Sequence, residues 1–311
     1  MSFTNHTIRS KRGLLFVLAA MLFFSACSPR KDSNLRSSET HDVFDEAGHR
    51  VTVPNSITRV ITLAPNLTEI VFAIGAGDRL VGNTTYCDYP PEAKTIAKVG
   101  DTLQPSIERI IALRPQLILV STASQLESFT KQLEAQHIAV YVTDPHDLEG
   151  VLRSIKAVGD LLGQSERAAQ VIADLRARTA AVEERVKQAG PVKVFYQLSA
   201  EPLYTAGRDS FVTDLIRRAG GQSVTRDVPG AWPRYSAESA IAARPEAIIM
   251  ATAESMGGSA NAGVASSLKE SPAVLGGRVY KVNGDYVSRP GPRLVDGLEQ
   301  IARALHPEAF R

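Results

Sequence analysis

The sequence predicts an α/β protein of two lobes, each a mostly parallel sheet flanked by helices, joined by a long rigid α-helix. Three observations predict it. Short apolar runs rich in Val, Ile and Leu alternate with stretches of helical periodicity, the pattern of strands buried on both faces. The passage "SIERIIALRPQLILV" returns as "SAESAIAARPEAIIM". Ser106 aligns with Ser236, Glu108 with Glu238, Arg114-Pro115 with Arg244-Pro245 and Ile118 with Ile248, an offset of 130 residues that marks two copies of one unit. Between the copies runs an apolar helical stripe far longer than the usual three turns or so. A chain of 311 residues is also long for one domain and comfortable for two.

The N-terminus stands apart. Arg9, Lys11 and Arg12 precede "GLLFVLAAMLFFSA", an apolar run too short for a membrane span of about 20 residues, so residues 1–26 read as a secretory signal. Ser25 and Ala26 stand directly before Cys27, which resembles the box at which bacterial lipoproteins are cleaved and lipidated. "SPRKDSNLRSSETHD" follows, polar and without period, so residues 27–42 read as a flexible tether. With Cys27 lipidated, Cys87 is the one other cysteine, and the mature chain has no intramolecular disulfide.

The first lobe, 43–146, begins with alternation in "VFDEAGHRVTV", a hairpin around Gly48. "RVITLAP" is a buried strand stopped by Pro65. A helix over "NLTEIVFAIGAG" follows, capped by Asn66 or Thr68 and ended at Gly75. Strand "RLVGNTT", helix "SIERIIAL" ended by Arg114-Pro115, strand "QLILV", helix "FTKQLEAQH" and strand "IAVYVTD" complete it.

From Asp147, Leu148, Val151, Leu152, Ile155, Val158 and Leu162 form a stripe that resumes after Gly163 with Ala168, Val171, Ile172, Leu175, Val182 and Val186. Residues 147–190 are expected to be the connecting strut. The second lobe, 191–311, restarts the pattern with strand "VKVFYQL", helix "SFVTDLIRRAGG", the repeated passage, the late strand in "SPAVLGGRVYKVNGD" and the closing helix "RLVDGLEQIARALHP".

Several functions are excluded. With 35 Lys+Arg against 33 Asp+Glu and no basic run interleaved with aromatics, there is no electrostatic footprint for nucleic acid. "GAGDRL" lacks the third glycine of a dinucleotide fingerprint and follows a helix instead of a strand. No P-loop and no G-x-S-x-G elbow occurs, and the six His show no zinc spacing. No catalytic residue, bound metal or cofactor is expected, and the chain is not read as an enzyme.

An exported, lipidated pair of α/β lobes joined by a long helix resembles the substrate-binding proteins of ABC importers, in the class that carries cobalamin, ferric siderophores and haem. The stretches that carry the resemblance are "RVITLAPNLTEIVFAIGAGDRLVGNTTYCDYP", "SIERIIALRPQLILV", "AWPRYSAESAIAARPEAII" and "RPGPRLVDGLE". It implies the helical-backbone fold of metal-chelate-binding proteins, a monomer held in the periplasm or cell envelope by lipid on Cys27, and a metal chelate as transported ligand. It also implies that Glu108 and Glu238, one per lobe, dock onto arginines of a paired permease. A doubled carboxylate then mirrors a doubled partner.

The ligand cleft is expected at the loops around Pro65-Asn66, "TTYCDYP", "AEPLYTAG", "GAWPRYS" and "NGDYVSRP". Four of the five carry aromatics in a chain only 6% aromatic, which suits a large flat ligand. "YCDYP" with "AWP" resembles the vitamin B12-binding members and nominates Tyr86, Tyr89, Tyr204 and Trp232, with Asp285 and Arg289 as a polar pair meeting ligand amides or phosphate. Thr102 and Ser121 depart from those members, which carry aromatics there, and imply a wider pocket or a different corrinoid. A ferric siderophore, recognised by arginines such as Arg208, Arg234 and Arg289, and haem held by a tyrosine are the alternatives.

Overall fold

In a computed structural model of the protein, residues 1–2, 39–121, 127–136, 138–252 and 263–311 are described. The expected signal segment and Cys27 lie outside them. Strand β1 (Thr40–Phe44) pairs antiparallel with β2 (Arg50–Pro54) about Gly48, whose φ is 86°. The hairpin thus starts inside the stretch expected to be tether. Its polar residues, which read as linker, pair across the strands: the Thr52 hydroxyl donates to Asp42 at 2.6 Å.

Then come β3 (Val60–Thr62), α1 (Pro65–Ala73), β4 (Leu80–Asn83), α2 (Ile107–Ala112), β5 (Leu117–Ser121), α3 (Glu127–Glu134) and β6 (Ala139–Thr143). The four strands β3 to β6 form one parallel sheet in the order β4-β3-β5-β6, with Ile61 opposite Ile118. Helix α1 opens on Pro65, whose missing N–H is no loss at a first turn. The expected cap from Asn66 or Thr68 is absent. Both side chains lie inside the helix, and the Thr68 hydroxyl bonds that of Thr62 at 2.6 Å.

The expected single strut is two helices, α4 (Leu148–Leu161) and α5 (Ser165–Val186). Gly163 sits at φ 61° between them. Arg176 of α5 bonds Glu149 of α4 at 3.0 Å; in one continuous helix these residues would stand about 40 Å apart. The helices therefore fold back into a hairpin. Gly159 permits their close approach, since a Cβ there would meet the Ala168 Cβ at 2.4 Å.

The second half has β7 (Val192–Gln197), β8 (Ser199–Ala200), β9 (Leu203–Tyr204), α6 (Phe211–Arg218), β10 (Gly221–Ser223), α7 (Ala237–Ala243), β11 (Ala247–Thr252), α8 (Pro272–Leu275), β12 (Val279–Asn283), α9 (Gly284–Ser288) and α10 (Leu294–Leu305). Its parallel sheet runs β10-β7-β11-β12, the same order as the first.

The sequence repeat is repeated geometry. Ser106 and Ser236 each cap a helix by accepting the N–H three residues on. Arg114 and Arg244 are left-handed, at φ 46° and 44°, and among the described residues no other non-glycine has positive φ. One apolar core, including Leu67 and Ile70, passes through Leu152, Ile155 and Leu175 of the helix hairpin to Leu215 and Leu298. Both lobes are thus packed on one shared spine.

Candidate functional site

Parallel strands bring all their carboxyl ends to one edge of each sheet, and ligands of open α/β sheets bind beyond that edge where strand order reverses. Here the reversal lies between β3 and β5 in one lobe and between β7 and β11 in the other. Pro65 and Asn66 follow β3, and Tyr204 lies in the hairpin that follows β7. Tyr86 and Tyr89 follow β4, while Trp232 follows β10, the strand in the equivalent place. Asp285 and Arg289 follow β12. The nominated residues therefore all follow carboxyl ends of strands, and all but Asp285 and Arg289 stand in matching loops of the two lobes.

Tyr86 is 46% exposed on a loop pinned from below by buried Cys87, whose Sγ lies 3.2 Å from the Thr84 hydroxyl. Lys98 donates to the Cys87 carbonyl at 3.1 Å and to Asn83 Oδ1 at 2.7 Å, holding the same loop. Trp232, 36% exposed, has its ring 5.7 Å from Phe211, edge-on, and 6.3 Å from Tyr196. Its segment runs back along the one carrying Tyr204: the N–H groups of Thr205, Gly207 and Tyr235 donate to Pro233, Ala231 and Leu203. Gly207 is required there, because a Cβ would lie 2.2 Å from the Gly230 carbonyl oxygen. Two loops nominated separately are one structure.

Asp285 and Arg289, expected as a polar pair at the ligand, also take part in a cluster of ion pairs between the lobes. Arg289, 6% exposed, donates to Asp88 at 2.7 Å and lies 3.4 Å from Glu69 and 3.1 Å from Asp285. Arg293 forms a fork on Glu69 at 2.6 and 2.9 Å, 3.8 Å from Asp285, with its guanidinium 4.0 Å above the Tyr89 ring. Three carboxylates and two guanidiniums thus make a clasp, enclosed except at half-exposed Asp88, in which the first lobe supplies Glu69 and Asp88, and the second supplies Asp285 and both arginines. The reason is charge: an arginine this buried is stable only beside carboxylates. Desolvation pushes the Asp88 carboxyl up, yet the Arg289 hydrogen bond and charge outweigh it and hold the group below its ordinary value. Asn66, also buried, adds a bond from its amide to the Pro290 carbonyl at 3.3 Å.

A second seam lies at the start of α4. The Leu148 N–H donates to Asp214 of the other lobe at 3.2 Å, and His146 bonds the Asp209 carbonyl at 3.3 Å. Burial raises the Asp214 carboxyl, but bonds from Arg218 and Arg217 prevail and hold it low.

On the spine side, a concavity of about 870 Å³ is walled by Phe72, Tyr89, Leu175, Arg178 and Arg293. Of the nominated residues it includes Tyr89 alone. Its arginines are engaged, Arg178 with Asp296 and Glu299, Arg293 with Glu69, and Arg167 with the Ala73 carbonyl and Gln170. The carboxyl edge is the better candidate, because Tyr86, Tyr89 and Trp232 are exposed there.

Glu108 and Glu238 occupy the first turns of α2 and α7, and both are exposed. Each helix leads into a strand parallel to the rest, so it runs against the strands and its first turn lies at the carboxyl edge. The Glu108 backbone N–H and the Ser106 hydroxyl, 2.9 Å away, hold the Glu108 carboxyl below its ordinary value.

The clasp residues Glu69, Asp88 and Arg293 were not singled out from the sequence. Asp88 and Arg293 stand inside quoted stretches, "YCDYP" and "RPGPRLVDGLE", but no spacing there announces a partner in the other lobe.

The model of the family described as periplasmic binding protein matches residues 60–284. An uncharacterized ABC transporter substrate-binding lipoprotein of Bacillus subtilis (strain 168) is 30% identical over 95% of this chain and 96% of its own length. The crystal structure of the periplasmic vitamin B12-binding protein of Vibrio cholerae superposes with a TM-score of 0.70 at 28% identity, covering 82% of this chain and 98% of the other. A periplasmic haem-binding protein from Roseiflexus sp. RS-1 gives 0.72 at 27% identity, covering 82% and 100%.

Proposed function

The chain belongs to the periplasmic binding protein family, the solute-binding components of ABC importers, and from that premise we propose that its cleft takes cobalamin or a related corrinoid for delivery to a membrane permease. The observation that carries the ligand is the matched placement of Tyr86 and Trp232, partly exposed on equivalent loops of the two lobes. With Tyr204, two opposed aromatic loops suit a broad flat macrocycle, which gains most from ring-face contact. Likeness to the Vibrio cholerae vitamin B12-binding protein over most of the chain supports the same reading. Pro65 and Asn66 form the floor, and Asp285 and Arg289 hold the frame by which the lobes are spaced.

The protein is exported and associated with the cell envelope; no helix among the described residues is long and apolar enough to cross a membrane. In this reading a lipid on Cys27 anchors it, the protein acts as a monomer, and Glu108 and Glu238 dock onto the permease pair. Such exposed carboxylates set orientation and encounter rate more than affinity.

A second reading rests on Arg208 and Arg234. Both are exposed, and they flank the segment that carries Tyr204 and Trp232. Guanidiniums there suit an anionic chelate, a ferric siderophore or the propionates of haem, with Tyr86 or Tyr204 as axial ligand. Calorimetric titration of the protein with cyanocobalamin, a ferric hydroxamate siderophore and haemin separates the readings. Saturable one-to-one binding of cyanocobalamin, weakened at least about tenfold by Trp232→Ala, is expected. Binding of the siderophore or haemin without cyanocobalamin overturns the corrinoid.

A further inference from the structure

The two docking helices carry more than a charge. Three residues after each glutamate stands an isoleucine open to solvent, Ile111 in part, at 37% exposure, and Ile241 at 59%. That spacing puts carboxylate and isoleucine on one helix face. The inward residue of each helix is its neighbour, Ile110 in α2 and Ala240 in α7, both fully buried.

Helix propensity does not explain Ile111 and Ile241, since a β-branched residue is less favourable than alanine in a short exposed helix. One exposed isoleucine is ordinary. Two at the same offset of 130 residues as the glutamates, on helices capped alike and ended alike by left-handed arginines, are a repeated surface. Both faces lie at the carboxyl edges of the two sheets, flanking the cleft.

We infer that Ile111 and Ile241 are the apolar half of a two-point docking surface. Each seats in an apolar recess of one of two related permease subunits, one helical turn from the basic residue that receives Glu108 or Glu238. The inference rests on the docking role proposed above and adds what the carboxylates lack. Exposed ion pairs are screened by salt and contribute little affinity, whereas burying an isoleucine supplies a term that salt does not weaken. The occupant is a permease dimer because the couplet is doubled: one partner of twofold shape meets both copies at once, and two linked contacts bind more tightly than either alone.

The test uses the full chain in the cells that produce it, with a photo-crosslinking amino acid placed in turn at positions 108, 111, 238 and 241, and at position 187, exposed at the end of the helix hairpin, as control. Adducts at 111 and 241 with an integral-membrane transporter subunit, identified by its peptides and absent at 187, are expected. Adducts at 108 and 238 without adducts at 111 and 241 overturn this inference and leave the carboxylate docking intact. No membrane-subunit adduct at any of the four overturns both. Adducts with a second copy of the chain would make this face a self-association surface and defeat the proposal. The companion measurement is affinity of the purified protein for that subunit pair in detergent. Ile111→Ser with Ile241→Ser should weaken the complex roughly tenfold per site and leave the unfolding temperature unchanged, with leucine at both positions restoring it. Equal affinity of the serine variant would count against the inference.

Discussion

Glu69 and Arg293 meet at 2.6 Å across the two lobes, with side chains only 2% and 13% exposed. Most ion pairs among the described residues are at the surface and contribute little. This one is enclosed, forked and shared with Arg289, so its charges depend on each other. Glu69→Ala leaves two guanidiniums short of their carboxylate, and the expected loss of stability is about 3–5 kcal/mol. Denaturant unfolding followed by fluorescence measures it. A loss under about 1 kcal/mol would place the pair with the surface ones.

Acid should loosen the same clasp at its outer member. The Asp88 carboxyl is held below its ordinary value of 3.8, where burial opposes and Arg289 prevails. A depressed folded value means that the stabilisation is complete above the ordinary value and is lost as pH falls through the lower, folded one. The stability difference between the protein and Asp88→Asn should therefore be level near neutrality and shrink below about pH 4. A difference independent of pH down to the acid limb would show that the Asp88 charge does not hold the lobes.

The pairing of the Tyr204 and Trp232 segments depends on one missing side chain. Gly207→Ala sets a methyl group 2.2 Å from the Gly230 carbonyl oxygen, which is backbone and has no rotamer to retreat into. The segment carrying Trp232 must shift, with an expected cost of about 1–3 kcal/mol in stability. Ligand affinity should fall with it, as calorimetry would show. Unchanged affinity would mean that Trp232 is not a wall of the cleft.

How far the sequence carries the structure depends on the range of the signal. Alternating strands and helices, and the repeat that contains Glu108 and Glu238, are written in local periodicity and were legible. The helix hairpin was not, because α4 and α5 both face the same core and so continue one apolar stripe; Gly163 alone marks the fold-back. The start of the first strand, Thr40–Asp42, was hidden by polar residues whose partners lie across the hairpin, such as Asp42 with Thr52. The clasp was the least legible. Glu69 and Arg293 are 224 residues apart, and nothing near either residue in sequence names the other. The resemblance to the vitamin B12-binding proteins points to Asp285 and Arg289 as a polar pair, but it carries no sign of the carboxylates of the other lobe that they also meet.

The repeat also contains a correctable strain. Arg244 closes α7 at φ 44°, a region where a Cβ is unfavourable. Both arginines precede a proline, which keeps them out of the ordinary helical region, and at Arg114 as at Arg244 the chain turns left-handed. Arg244→Gly removes the Cβ penalty, offset in part by the entropy of a more flexible unfolded chain. A net gain of about 0.5–1 kcal/mol is expected, read as a rise in unfolding temperature. A fall would show that the Arg244 side chain makes a contact worth more than the strain.

The seams together limit motion between the lobes. The Glu69, Asp88 and Arg289 clasp closes one side, Asp214 on the Leu148 N–H closes another, and the α4–α5 hairpin shares its core with both lobes. A wide hinge would have to break buried ion pairs and part apolar contacts at the same time, which packed interfaces resist until they yield as a whole. Small-angle scattering of the free and cyanocobalamin-saturated protein should therefore give radii of gyration equal to within about 1 Å, on the scale of roughly 19 Å expected for the folded part of the chain. Glu69→Ala, with one seam opened, should show a larger radius when free and return to the closed value when saturated. A large contraction of the unaltered protein on binding would instead mean that these seams form only around the ligand, and the cleft would have to be redrawn as one that closes.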